Sequence, residues 1–343
     1  MNKTVLLKKN EQELLLKINH HQFSLDTSER ERLWEQKKRH FQEYCVNRWQ
    51  WYNYPKWNYI NEFPLHVDFE VSFRCNLKCP MCFRPHIARK DWGDMDFELY
   101  KKGIDECAAN NLYSIRLNWR GESTLHPRLV EMVKYAKDKG IKEVSFITNG
   151  WLMKNDLAEG LVDAGLDYIT FSIDGMFETY EHLRHPIKFA EITENVKDLY
   201  ELRNKKGGYP LMKVQAIWSY IKNCSEDFYN YFKGITDLIS FDPEADYSMR
   251  NVPQNPNFLC QYPWQRITIT HSGEIPLCIS DWDVCTFIGD LREQTIREVW
   301  LGKELNEFRE KQLSGKRLTI PSCKMCHRPE VPQFGDKVGG KIS

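Results

Sequence analysis

Residues 74–83 read Arg-Cys-Asn-Leu-Lys-Cys-Pro-Met-Cys-Phe, and they place Cys75, Cys79 and Cys82 close together directly after an apolar stretch. Three thiols make a poor disulfide set, and a tetrahedral zinc site takes four ligands. Clustered thiolates bind zinc or iron–sulfur; with three ligands a four-iron cluster keeps one iron free of protein, open to chelation by a substrate. A second set, Cys260, Cys278, Cys323 and Cys326, is spaced by 18, 45 and 3 positions, which suits either a four-cysteine zinc site or a fully ligated cluster.

The elements that must position these thiols follow from the pattern of the chain. At 343 residues it can bury a sizeable core and is long for one domain. Lysine plus arginine number 48, as do aspartate plus glutamate, so no global charge points to nucleic acid or to an anionic membrane. No long apolar run appears, and MNKTVLLKKNEQELLLK lacks the apolar core and cleavage site of a signal peptide, so the chain reads as soluble and cytoplasmic. In that reducing compartment its eleven cysteines are metal ligands and free thiols rather than disulfides.

Residues 1–62 form an arm, with a charged helix predicted over 28–41 and then an aromatic-rich stretch (Trp49, Trp51, Tyr52, Tyr54, Trp57, Tyr59) packed over the main domain. From residue 66 strands alternate with helices: HVDFEVSF, YSIRLNW, KEVSFIT, DYITFSID, MKVQAIWSY and DLISFD, with helices at 96–110, 127–139, 154–165, 189–205 and 225–234. The apolar strand runs suit a buried parallel sheet, and right-handed crossovers stack such strands side by side into a curved, partly closed barrel over 63–246. Chemistry in such folds lies at the C-terminal strand ends, and the three-cysteine run leaves the first of them. A cysteine-bearing module follows over 247–329, with a hairpin around Ser272-Gly273 and a helix at 294–312; 330–343 reads as a mobile tail.

The run Cys75-x3-Cys79-x2-Cys82, with Met81 before the last thiol, resembles the signature of the radical S-adenosylmethionine (SAM) enzymes. Later strand ends add to the likeness. Arg120-Gly121-Glu122-Ser123 is similar to the family's Gly-Gly-Glu-Pro turn, with Arg120 for the first glycine and Ser123 for the proline. Thr148-Asn149-Gly150 and Ser172-Ile173-Asp174-Gly175, with Arg184 beyond, end the third and fourth strands. The resemblance implies that Glu122 receives the SAM amino group, that Ser172 and Arg184 meet its carboxylate, and that Asn149 meets its ribose, with Gly121 and Met81 alongside. Cys260, Cys278, Cys323 and Cys326 resemble the ligands of the SPASM and shorter "twitch" modules. The implied fold is α/β: a partial (β/α)6 barrel of the radical SAM type, then a small iron–sulfur module. The implied cofactors are SAM and two [4Fe-4S] clusters, one held by Cys75, Cys79 and Cys82 and one auxiliary.

What the resemblance implies for function is reductive cleavage of SAM to a 5′-deoxyadenosyl radical, fed by a flavodoxin- or ferredoxin-type donor, and removal of a substrate hydrogen atom. The second cysteine set looks like that of 2-deoxy-scyllo-inosamine dehydrogenase, which favours oxidation of a carbinol carbon in a sugar or aminocyclitol derivative. Peptide maturation and epimerisation are the alternatives within the family; a non-catalytic zinc or iron–sulfur scaffold is the alternative outside it. Cys45, Cys107 and Cys224 read as small buried hydrophobes. Cys285 reads as a passive loop thiol, a further ligand or a hydrogen-atom donor. Gln215, Trp218, Tyr220 and Arg250 lie on or beyond late strands, and none of them is assigned as catalytic base.

Overall fold

A computed structural model of the chain describes residues 5–9, 12–16, 37–88, 91–242, 244 and 258–326. Arg250, the 330–343 tail and the start of the expected 28–41 helix lie outside these. Strands β1 (Val5–Lys9) and β2 (Gln12–Leu16) pair antiparallel. The aromatic stretch is itself helical: α1 spans Phe41–Trp57. It buries Trp51 and Asn47, and the Asn47 amide donates to the carbonyl of Leu65 at 3.1 Å, while Trp49 and Trp57 stay 52% and 59% exposed.

Six expected strands form, each shorter than its apolar run: β3 (His66–Phe69), β4 (Ser114–Arg116), β5 (Glu143–Thr148), β6 (Tyr168–Ser172), β7 (Leu211–Ile217) and β8 (Leu238–Asp242). All pair parallel and in chain order. Helices Phe97–Ala109, Leu129–Asp138, Asn155–Asp163, Phe189–Lys205 and Ser225–Phe232 make the crossovers close to their expected bounds. The first starts where its sequence dictates, with the Asp96 carboxylate accepting from the N–H groups of Glu98 and Leu99 at 2.9 and 3.0 Å. The run MKVQAIWSY is not strand throughout: Trp218 opens a short helix, Trp218–Ile221.

A seventh strand, β9 (Arg266–Ile269), adds parallel to the other side of β3. This corrects the expected hairpin. Its turn is there, with Gly273 at a φ of +96° and its N–H bonded to the carbonyl of Thr270, but β9 joins the main sheet. The next strand, β10 (Glu274–Pro276), pairs instead with β11 (Phe287–Asp290). The expected 294–312 helix is broken at Leu301-Gly302 into Ile296–Trp300 and Lys303–Leu313.

Apolar side chains of the strands, among them Val67, Phe69, Ile115, Phe146, Ile169, Phe171, Val214 and Phe241, are buried in one core. The sheet also encloses charge. Asp68 on β3 is fully buried and pairs with Arg116 on β4 at 2.9 Å and with Arg266 on β9. Burial alone would push its carboxyl up; the two guanidiniums more than offset this and hold it far below the usual carboxylate range. Arg116 also acts on Lys213 of β7, three strands away, as expected where the sheet curls into a partial barrel.

Candidate active site

The chain leaving β3 turns back on itself. The N–H of Phe73 bonds to the carbonyl of Gly93 and that of Met95 to Val71, both at 2.8 Å, and Arg74 forms an ion pair with Asp94. The loop held between these contacts carries Cys75, Cys79 and Cys82, and the N–H of Cys82 bonds to the carbonyl of Cys79 at 3.1 Å. Beside it, the Glu122 N–H donates to the carbonyl of Arg74 at 2.7 Å. Gly121 is required at that crossing: a Cβ there would lie 2.1 Å from the carbonyl oxygen of Ser72 and 2.6 Å from that of Arg74. Gly121→Ala should therefore push the turn off the cysteine loop. We expect a loss of roughly 1–3 kcal/mol in stability and a clear fall in SAM affinity, measured by thermal unfolding and by titration; unchanged values in both would contradict this packing.

These loops wall a cavity of about 1020 Å³ at the C-terminal ends of the strands. Every residue expected for the first cluster and for SAM lines it: Cys75, Cys79, Met81, Cys82, Gly121, Glu122, Asn149, Ser172 and Arg184. Glu122 is buried. Its Oε1 accepts from the N–H and hydroxyl of Thr124 and from the hydroxyl of Thr148, and its Oε2 accepts from the Asn149 N–H at 2.8 Å. Of its two oxygens, Oε2 is thus the one with spare capacity. The Asn149 amide donates to Asn76, in the cysteine loop, at 2.8 Å, and its carbonyl receives the Trp151 N–H at 2.9 Å. The hydroxyl of Ser172 takes part in no hydrogen bond among the described residues.

Arg184 is held by Asp174, whose other oxygen accepts from the Ile217 N–H at 2.7 Å. Burial works against its charge, but Asp174 and the Cys79 thiol outweigh that and keep the guanidinium firmly protonated. Asp174 has no role in the expected site, and the structure makes it the anchor of Arg184. Arg120 is likewise more than a substituted glycine. It forks onto Glu70 at 2.8 and 2.7 Å and donates to the carbonyl of Trp282 at 3.0 Å. The Trp119 indole N–H reaches the carbonyl of Ile279 at 2.8 Å, and Phe83 stacks on Trp282 at 4.9 Å. The loop that follows Cys278 is thereby fastened to the end of the three-cysteine loop and to the turn after β4.

The donor set suits a cationic cluster. Burial raises the thiol of each of Cys75, Cys79 and Cys82, and a neighbouring thiol of the trio adds to each rise; Arg84 and Arg184 draw them down but leave each raised, and iron would supply the further positive charge that thiolates there need. The second set behaves alike. Burial pushes Cys278 well up, and Cys326, Cys260 and Cys323 push it further; Cys323, also buried, is pushed up to about 12. Those four thiols have come together from three separate stretches of sequence, and none of them lines the cavity. Among the described residues no three His, Cys, Asp or Glu side chains meet at the spacing of one metal ion. A four-iron cluster takes its ligands on separate irons, so its thiols need not converge on a single point.

The remaining cysteines stand apart from the cavity. Cys107 is buried as expected, whereas Cys45 and Cys224 are only half-buried. Cys285 is exposed, and its backbone N–H bonds to Asp281 at 3.1 Å. Of the late-strand residues, Gln215 lines the cavity; Trp218 and Tyr220 do not, and the Tyr220 hydroxyl donates to Glu244 at 2.7 Å.

Residues 69–220 match the radical SAM superfamily, and residues 260–327 match the SPASM iron–sulfur cluster-binding domain. The chain belongs to the radical SAM superfamily. Membership brings a SAM-binding four-iron cluster, and the SPASM domain brings auxiliary iron–sulfur. The tungsten-containing aldehyde ferredoxin oxidoreductase cofactor-modifying protein of Pyrococcus furiosus is 32% identical over 155 residues, covering 44% of this chain and 43% of that protein. A PqqA peptide cyclase of Bradyrhizobium diazoefficiens is 32% identical over 115 residues, 34% of this chain and 30% of its own. The matches thus span less than half of these curated relatives. Among solved structures, BtrN in complex with AdoMet and 2-DOIA superposes with a TM-score of 0.55 at 19% identity, covering 77% of this chain and 93% of BtrN. Streptococcus suis SuiB bound to its precursor peptide SuiA gives 0.55 at 15% identity, covering 79% and 72%. At such identities the likeness is one of fold. Among the described residues no helix is long and apolar enough to cross a membrane.

If Glu122 and Arg184 hold the charged ends of SAM, Glu122→Ala and Arg184→Ala should each weaken SAM binding by about 2 kcal/mol, tenfold or more. Titration of SAM into the anaerobically reconstituted protein checks this; unchanged affinity in both variants would refute the two roles.

Proposed function

We propose that this chain is a radical SAM oxidoreductase that takes a hydrogen atom from a carbinol carbon of a sugar or aminocyclitol derivative and oxidises that carbon. When bound, the first cluster and SAM supply the hydrogen-abstracting radical, and the auxiliary cluster supplies a sink for one electron. The observation that carries this reading is the second cysteine set. Cys260, Cys278, Cys323 and Cys326 act on one another's charge in a buried spot away from the cavity, so a cluster there would have all its corners held by protein. Such a cluster has no position to bind substrate and suits electron transfer.

The chain's own residues bind and orient. Cys75, Cys79 and Cys82 hold the first cluster, and Met81 packs beside it. Glu122 takes the SAM amino group through Oε2, Ser172 and Arg184 take the carboxylate, and Asn149 lies toward the ribose. Trp92 and Trp119 in the cavity wall help keep water from the reacting carbon. A flavodoxin- or ferredoxin-type protein is the electron donor in this reading, and thiols that serve as cluster ligands suit the reducing cytoplasm. BtrN, a dehydrogenase of the same fold seen with AdoMet and 2-DOIA, supports the choice of a cyclitol.

A second reading is peptide maturation, favoured by the SuiB–SuiA complex and by the peptide cyclases among the relatives. One experiment separates the two. The reduced, anaerobic enzyme is incubated with SAM and either an aminocyclitol deuterated at its carbinol carbon or a deuterated candidate peptide. Deuterium in 5′-deoxyadenosine together with a ketone from the cyclitol supports oxidation; label arriving only from the peptide overturns it.

A further inference from the structure

Among the described residues, three carboxylates line the cavity: Glu122, Asp174 and Asp242. Glu122 accepts four hydrogen bonds from Thr124, Thr148 and Asn149. Both oxygens of Asp174 are taken, by Arg184 and by the Ile217 N–H. Asp242, the last residue of β8, differs: its Oδ1 is buried and has no hydrogen-bond partner among the described residues. A buried acceptor left empty costs free energy unless something fills it, and an unmatched group at a strand's C-terminal end in an α/β barrel stands where substrates bind.

Its surroundings keep it ready to accept. Gln215 also lines the cavity, and its side-chain carbonyl is engaged by Lys213 Nζ at 2.9 Å. Burial raises the Asp242 carboxyl to about 6; Lys213 draws it down and Asp174 adds to the rise. The group is thus a desolvated carboxyl in the cavity wall with the Lys213 ammonium acting on it. Of the guanidiniums in the wall, Arg120 pairs with Glu70, Arg74 with Asp94 and Arg184 with Asp174, while Arg84 donates to the carbonyl of Phe73 at 3.0 Å.

We propose that Asp242 is a substrate-binding residue that receives a hydrogen-bond donor, a hydroxyl or a protonated amine, of the small polar molecule held in this cavity. This rests on the proposed function, and it narrows the substrate to one presenting such a donor on the β8 side of the cavity. Aminocyclitols and amino sugars fit, since their rings carry both kinds of donor.

The probes are 2-deoxy-scyllo-inosamine and the amine-free scyllo-inositol, titrated by calorimetry into the anaerobic, SAM-loaded holoenzyme. Wild type is expected to bind the aminocyclitol, Asp242→Asn to bind it at least about tenfold more weakly, and Asp242→Glu to recover most of the affinity. A loss confined to the amine identifies an ammonium partner, and an equal loss for both probes identifies a hydroxyl; either upholds the assignment. Binding by Asp242→Asn equal to wild type, or failure of wild type to bind either probe, overturns it. Dithionite-driven SAM cleavage by the wild-type preparation, measured without probe, tests the radical chemistry separately. If that cleavage occurs while Asp242→Asn binds normally, only the acceptor role fails; if it does not occur, the parent reading fails.

Discussion

Cys79→Ala is expected to abolish dithionite-driven cleavage of SAM. Cys79 is buried in the cavity wall, with Cys82 and the Arg184 guanidinium acting on its thiol. The trio has no understudy: Cys45, Cys107, Cys224 and Cys285 all lie away from the cavity, so no other thiol can move in as a third ligand. Losing a mere supporting partner of a metal ligand costs up to about 100-fold, and losing a ligand outright should exceed that. The check is 5′-deoxyadenosine formation by the reduced, reconstituted variant. The variant should keep its fold, because the loop is pinned at both ends by backbone bonds from Phe73 and Met95 rather than by the thiols. Cleavage at the wild-type rate would show that the cluster assignment is wrong.

The second large effect concerns the auxiliary site. Cys323 and Cys326 flank the end of a one-turn helix, Pro321–Lys324, while Cys260 and Cys278 lie on either side of β9. Because β9 is a strand of the main sheet, half of this ligand set is built into the barrel and half hangs on a late loop. Replacing Cys323 and Cys326 together by alanine should leave the barrel core and the first cysteine site in place. If this cluster accepts the substrate's electron, oxidised product should fall at least about tenfold relative to 5′-deoxyadenosine, which continues to form. Product still matched one-to-one with SAM cleavage would rule out electron acceptance and point to redox-neutral chemistry. Insoluble protein would assign the cluster a folding role instead, since metal binding and folding are coupled in small modules.

Much of this arrangement is legible in the residues alone. Parallel pairing of β3 to β8 follows from alternation and crossover handedness, and it places the three thiols, Gly121-Glu122, Asn149 and Ser172 at one end of the sheet because each lies at the C-terminal end of a strand or in the loop beyond it. What escapes a local reading depends on distant partners. Arg-Ile-Thr-Ile at 266–269 followed by a Ser-Gly turn looks like a hairpin arm, and only the free side of β3 makes it a seventh parallel strand. Arg120 appears as a departure from a glycine motif until Glu70, fifty positions earlier, is brought beneath it. Asp242 is visible as the final letter of an apolar strand. Its position at a strand's C-terminal end was the available signal, but its unmatched oxygen emerges only when every neighbour's hydrogen bonds are traced. The short helix at Trp218 likewise leaves Trp218 and Tyr220 out of the cavity wall, which periodicity over four residues cannot reveal.

The most direct measurement is metal analysis of anaerobically purified and reconstituted protein, paired with electron paramagnetic resonance of the reduced sample before and after SAM is added. Two four-iron clusters call for about eight irons and eight sulfides per chain. The spectrum of one cluster should shift on SAM binding, and that shift should vanish in Cys79→Ala while the other signal persists. Zinc in place of iron, or a reduced spectrum indifferent to SAM, would contradict a radical SAM site at Cys75, Cys79 and Cys82.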